Sequence, residues 1–102
     1  MLLQKQEILS LLIKNINEIQ RFGVKRIGLF GSYVRNSNTP DSDLDFLVEF
    51  KTGQKTYDNF YDLYDFLESL FSLKIDLLTT DSLSKHIGPE ILKEVEYIEV
   101  AA

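Results

Sequence analysis

Two aspartates, Asp43 and Asp45, stand one residue apart at the head of an apolar run, Leu44–Phe50, LDFLVEF. A run of this composition after the loop-forming stretch NSNTPDS reads as a strand. Side chains alternate along a strand, so both acids point to one face. Phe46 and Val48 fall on one side and Leu47 on the other, which leaves both faces of the strand apolar beyond its start. The acids are thereby placed where a buried strand meets its rim. Asp76 sits in a second apolar run, KIDLLT, Lys74–Thr79. If the two strands are neighbours, Asp76 faces the same spot.

The rest of the chain supplies what such strands need. Ile8, Leu12, Ile16 and Ile19 recur at helical spacing, which predicts a helix over 3–22 that ends at Phe22-Gly23. Leu9, Leu11 and Ile13 widen its apolar face, read as filling a groove of the domain itself rather than awaiting a partner. Lys25–Phe30 reads as a short strand, residues 32–36 as a turn, and 51–56 as a loop holding Gly53. A helix over 57–72 places Phe60, Leu63, Tyr64, Leu67, Leu70 and Phe71 on one face. Asp58, Asp62, Asp65 and Glu68 lie on its solvated side. Asp81-Ser82 can cap a helical turn near 82–87, Pro89 suits the first turn of a helix over 89–96, and Tyr97–Val100 reads as a short last strand. The expectation is an α/β (α+β) fold in one domain, residues 1–102. Its small mixed sheet has three to four strands, with helices packed mainly on one face. The first two strands pair antiparallel across their loop, and the third returns by a helical crossover.

Composition narrows the function classes. The 102 residues carry a net charge of -5, a poor basis for gripping a nucleic-acid backbone, so no direct nucleic-acid partner is expected. There are no cysteines, which removes disulfides, thiolate catalysis and Cys-based zinc sites and fits a cytoplasmic home. The start, MLLQKQEILSLLIKNI, lacks the pattern of a signal peptide, and no run is long enough to span a bilayer.

Three carboxylates brought to one place repel one another, and left alone one of them takes up a proton. A hard divalent cation, Mg2+ or Mn2+, resolves the conflict. Two such ions can clamp the attacking and leaving oxygens of a nucleotidyl displacement. Gly31-Ser32 fits the other half of that task. Glycine at a strand end lets backbone approach a phosphate, and the following N–H groups and the Ser32 hydroxyl can hold its oxygens. Arg35, one turn on, adds a charge-assisted contact.

Each piece is weak alone: a Gly-Ser pair is most often a turn, and DSDLD most often a loop or cap. Together they form Gly-Ser, ten residues, Asp-x-Asp, then a later strand Asp. That pattern, within RIGLFGSYVRNSNTPDSDLDFLVEF, resembles the nucleotidyltransferase superfamily that includes DNA polymerase beta, and the short chain resembles its minimal, MntA-type antitoxin branch. The resemblance implies the polymerase beta-like fold and a Mg2+-dependent adenylyltransferase. Such an enzyme moves AMP from ATP to a tyrosine of a HEPN-domain ribonuclease toxin, with which it forms a hetero-oligomer. It implies that Asp43, Asp45 and Asp76 bind two metal ions, that Asp76 helps deprotonate the attacking hydroxyl, and that Gly31, Ser32 and Arg35 hold the triphosphate. The family commonly has glycine after this arginine. Here Asn36 follows, a residue that tolerates left-handed backbone.

Two other functions compete. One is a binding antitoxin that silences a HEPN toxin by covering it. The other is a small-molecule nucleotidyltransferase of the antibiotic-modifying kind, against which the lack of room for an acceptor domain weighs. His86 has no second ligand at metal spacing, Lys85 is isolated, and the aromatics from Tyr57 to Phe71 read as core and partner surface rather than a base-stacking platform.

Overall fold

The computed structural model describes residues 3–101. Four strands form one sheet: β1 (Val24–Phe30), β2 (Leu44–Phe50), β3 (Ile75–Thr79) and β4 (Glu96–Glu99), in spatial order β3-β2-β1-β4. β1 pairs antiparallel with both β2 and β4, while β2 and β3 run parallel. The crossover between those two is α3 (Tyr57–Phe71), as a parallel pair requires.

Strand alternation sorts the apolar residues into two layers. Ile27, Leu29, Leu44, Phe46, Val48, Ile75 and Leu77 pack against Ile8 and Leu12 of α1 (Lys5–Lys14), Ile19 of α2 (Ile16–Gln20), and Leu63, Leu67 and Phe71 of α3. The opposite face carries a smaller cluster, Phe30 and Leu47 against Ile91 of α4 (Gly88–Glu94). Three helices therefore cover one face and one short helix covers part of the other. Much of the second face over β2 and β3 is left open.

The structure departs from the sequence reading at four places. The helix expected over 3–22 is two helices. The side-chain amide of Asn15 donates to the Leu11 carbonyl at 2.8 Å, and its backbone (φ -108, ψ 21) leaves the helical region, so a local side-chain bond interrupts the ladder. Leu9 and Leu11 pack on the core as expected, while Ile13 is exposed. The turn expected at 82–87 is present over 85–87, where the Gly88 N–H donates to the Ser84 carbonyl at 2.8 Å, but it is preceded by a separate 3-10 turn over Thr80–Ser82. In that 3-10 turn the Ser82 hydroxyl donates to the Thr79 carbonyl, and Asp81 pairs with Lys55 at 2.8 Å instead of capping. The last helix stops at Glu94 rather than 96, because Val95 is extended and packs against Gly28 of β1. A Cβ on Gly28 would collide with Val95 Cγ2, so this glycine is what lets the α4–β4 junction lie flat on the sheet. The fourth difference concerns Asp76 and is taken up with the site.

Candidate active site

The topology brings three chain segments to one end of the sheet. In the parallel pair Asp45 lies directly across from Asp76, and in the antiparallel pair it lies across from Phe30, the last residue of β1. Asp43, Asp45 and Asp76 share strand parity, so all three face the side opposite the three-helix layer. Asp43 and Asp45 are half-buried. Asp76, which the sequence sets inside an apolar strand, is exposed rather than buried with its neighbours. It stands on the uncovered part of that face, where water solvates it.

Electrostatics mark Asp45 as the focus. Its carboxyl is pushed from the ordinary 3.8 up to about 6. Burial is the main cause, and the negative charges of Asp76 and Asp43 add to it; Arg35 opposes them, and Glu94 contributes a further rise. The donor set, hard carboxylate oxygens on one open face, fits a divalent cation of the Mg2+ or Mn2+ type. Among the described residues no three acidic or imidazole side chains form a ready-made coordination cluster.

The turn after β1 is built for close approach. Gly31 has φ +82, and a Cβ there would collide with Asp45 Oδ2, so only glycine lets the turn and the carboxylate sit side by side. The Val34 and Arg35 N–H groups both donate to the Gly31 carbonyl, at 3.1 and 3.2 Å. Tyr33 is buried in the core and anchors the turn from beneath. Asn36 takes the left-handed conformation, φ 58, that the family's glycine would supply.

The nucleotidyltransferase domain family matches residues 9–98. The chain belongs to this family. It is 41% identical over 98 residues to the protein adenylyltransferase MntA of Thermococcus cleftensis, a match spanning 95% of this chain and 98% of that one. A solved structure assigned as a minimal nucleotidyltransferase superposes with a TM-score of 0.78 at 26% identity, over 92% of this chain and 95% of the other. A chain from a toxin–antitoxin crystal structure with AMP-PNP superposes with a TM-score of 0.62 at 27% identity, over 93% and 72%. The chain is thus a nucleotidyltransferase, and its sheet with helices on both sides is the minimal fold of that family.

One residue at the site of this nucleotidyltransferase escaped the sequence reading. The Glu94 carboxylate accepts the Gly31 N–H at 2.6 Å and pairs with Arg35 Nη1 at 2.8 and 3.0 Å. The β1–β4 register foreshadows the contact: Gly28 faces Tyr97 and Leu29 faces Glu96, so two further steps set Gly31 against position 94. A signal existed. Glu94 ends a helix, where the macrodipole disfavours an acid unless a cation answers it.

Other residues stay outside the site. His86 and Lys85 are exposed. Tyr57 and Tyr61 are exposed too, their rings 4.5 Å apart, while Leu63, Leu67 and Phe71 supply the core face of α3. A groove of about 360 Å³ lined by Lys55, Tyr57, Phe60, Tyr61 and Leu77 lies at the end of the sheet away from the aspartates. Among the described residues no helix is long and apolar enough to cross a membrane.

Proposed function

We propose that this nucleotidyltransferase is a Mg2+-dependent protein adenylyltransferase that acts as an antitoxin, moving AMP from ATP to a tyrosine of a HEPN-domain toxin. The observation that carries the reading is the placement of Asp43, Asp45 and Asp76 on one face beside the Gly31-Ser32 turn. The 41% likeness to an MntA adenylyltransferase over nearly the whole of both chains supports the substrate class, and the likeness to a toxin–antitoxin chain supports the partner.

Each residue has a task in that reaction. Asp43, Asp45 and Asp76 would hold the divalent cations, which supply positive charge to offset that of the triphosphate and the leaving pyrophosphate. The Ser32 hydroxyl and the N–H groups of the turn other than those of Gly31, Val34 and Arg35, which are already bonded, orient the phosphates, and Arg35 adds fixed positive charge. Asp76, exposed to the approaching acceptor, takes the tyrosine proton as the phenolic oxygen attacks the α-phosphorus. The bond to the bridging oxygen breaks and pyrophosphate departs. The face is open rather than enclosed, so the partner's surface must complete the acceptor side and exclude water. A cytoplasmic place of action follows from the need for ATP.

Position-labelled ATP tests the chemistry. Incubated with this chain, its HEPN partner and Mg2+, ATP labelled at the α-phosphorus is expected to label the partner, and ATP labelled at the γ-phosphorus is not. Label entering from the γ position would mean a kinase, and label from neither, with the toxin still silenced, would mean a binding antitoxin.

A further inference from the structure

We propose that Glu94 is a positioning residue for nucleotidyl transfer: it fixes the Arg35 guanidinium beside the Gly31-Ser32 turn before the triphosphate arrives. The inference rests on the reading of that turn as the triphosphate site. One carboxylate holds both parts, the Gly31 N–H at 2.6 Å and Arg35 Nη1 at 2.8 and 3.0 Å. Arg35 by itself is a poor clamp. Its side chain is 56% exposed, and a free arginine loses rotamer entropy when it engages a ligand. Glu94 is itself well seated, with a side-chain exposure of 22%, at a junction pinned by Val95 and Tyr97 against Gly28. It therefore supplies a rigid anchor, so that ordering Arg35 costs little at the moment of binding.

The same geometry argues against Glu94 as a rival anion that the triphosphate must expel. The Gly31 N–H continues the β1–β4 register and is directed to the α4–β4 side, while the aspartates stand on the sheet face. Glu94 thus occupies a strand-end donor that the open face does not use. It engages only Nη1 of the guanidinium, and the remaining N–H groups of Arg35 are not spent on it. A bracket of this kind links the last helix of the chain to its phosphate-binding turn.

The test compares AMP-PNP with AMP by calorimetry in the presence of Mg2+, using the wild type, Glu94→Gln, Arg35→Ala and the double variant. Glu94→Gln keeps an acceptor for the Gly31 N–H but no longer holds the guanidinium by charge. Loss of that charge-assisted orientation is expected to weaken AMP-PNP binding about tenfold and AMP binding less than about twofold. On the Arg35→Ala background the Glu94→Gln change is expected to add less than about twofold, because the two residues act as one unit. Glu94→Asp, which keeps the charge but draws it back by one methylene, serves as a second variant and is expected to give an intermediate loss. Tighter AMP-PNP binding by Glu94→Gln would overturn the inference in favour of a competing anion. Equal losses for AMP and AMP-PNP, or full additivity with Arg35→Ala, would overturn it in favour of a purely structural bond. If the wild type binds AMP-PNP and Glu94→Gln binds it equally well, this inference alone is sunk. A wild type that binds neither nucleotide sinks the nucleotide reading of the turn together with it.

Discussion

Asp45→Asn is expected to cost about a hundredfold or more in AMP transfer and, in metal-free solution, to make the protein more stable. The first effect follows from removing a carboxylate from the proposed cation site, whose charge stabilisation amounts to several kcal/mol. The second follows from the direction of the Asp45 shift. Its carboxyl titrates near 6 in the folded chain against an ordinary 3.8. Between those values the folded state binds more protons than the unfolded one, so stability falls as pH rises through that window. The cost of the charge is fully present above about pH 6 and absent below about 3.8. Asparagine removes it. With allowance for solvent screening of a half-exposed group, the gain at pH 7.5 is about 1–2 kcal/mol. That is a rise in Tm of about 5 to 10 °C for a domain of this size. The difference between variant and wild type should close as pH approaches 4. Added Mg2+ should raise the Tm of the wild type and leave that of the variant nearly unmoved. Thermal melts across pH, with and without the cation, read all three. A variant no more stable than the wild type at pH 7.5 would mean that Asp45 carries no stored charge strain.

Gly31→Ala is expected to be the most damaging change of a single atom group. The residue has φ +82, which costs an alanine about 1–2 kcal/mol, and its Cβ would press into the Asp45 carboxylate. Displacing Asp45 and the turn together should lower stability by about 2–3 kcal/mol and abolish transfer. Gly53→Ala is the matched control. Its φ is +79, but nothing lies within 4 Å of the added carbon, so only the same backbone strain of about 1–2 kcal/mol applies and transfer persists. Chemical denaturation of the pair separates the collision from the strain. Equal losses in the two variants would show that Asp45 does not pack against the turn.

The contrast between these glycines shows what a sequence discloses. The meeting of Gly31, Ser32, Asp43, Asp45 and Asp76 at one end of the sheet was legible because each lies within two residues of a strand end and alternation carries a side chain to a definite face. Parity along Leu44–Phe50 and Ile75–Thr79 places the three acids together once β2 and β3 are neighbours, and the helical segment between them makes the parallel pairing natural. The exposure of Asp76 was not legible, because it depends on how far α4 extends over the second face. Asn15 escaped for a different reason. The apolar spacing runs unbroken through Ile8, Leu12, Ile16 and Ile19, and nothing in that spacing reports an amide turning back to the Leu11 carbonyl. Glu94 depends on a contact between residues 63 positions apart, made possible by a glycine in β1 that no local pattern connects to the end of the chain.

The central claim, that this nucleotidyltransferase silences a HEPN toxin by transferring AMP to it, is tested most directly by weighing the toxin. The HEPN partner is incubated with ATP, Mg2+ and this chain, and its intact mass is measured beside a control carrying Asp43→Ala and Asp45→Ala. A gain of one or more whole AMP units on the toxin, lost in the control and accompanied by loss of ribonuclease activity, is the expected result. A toxin of unchanged mass that is inhibited equally by the wild type and the control would contradict it, and would make the protein an antitoxin that acts by binding.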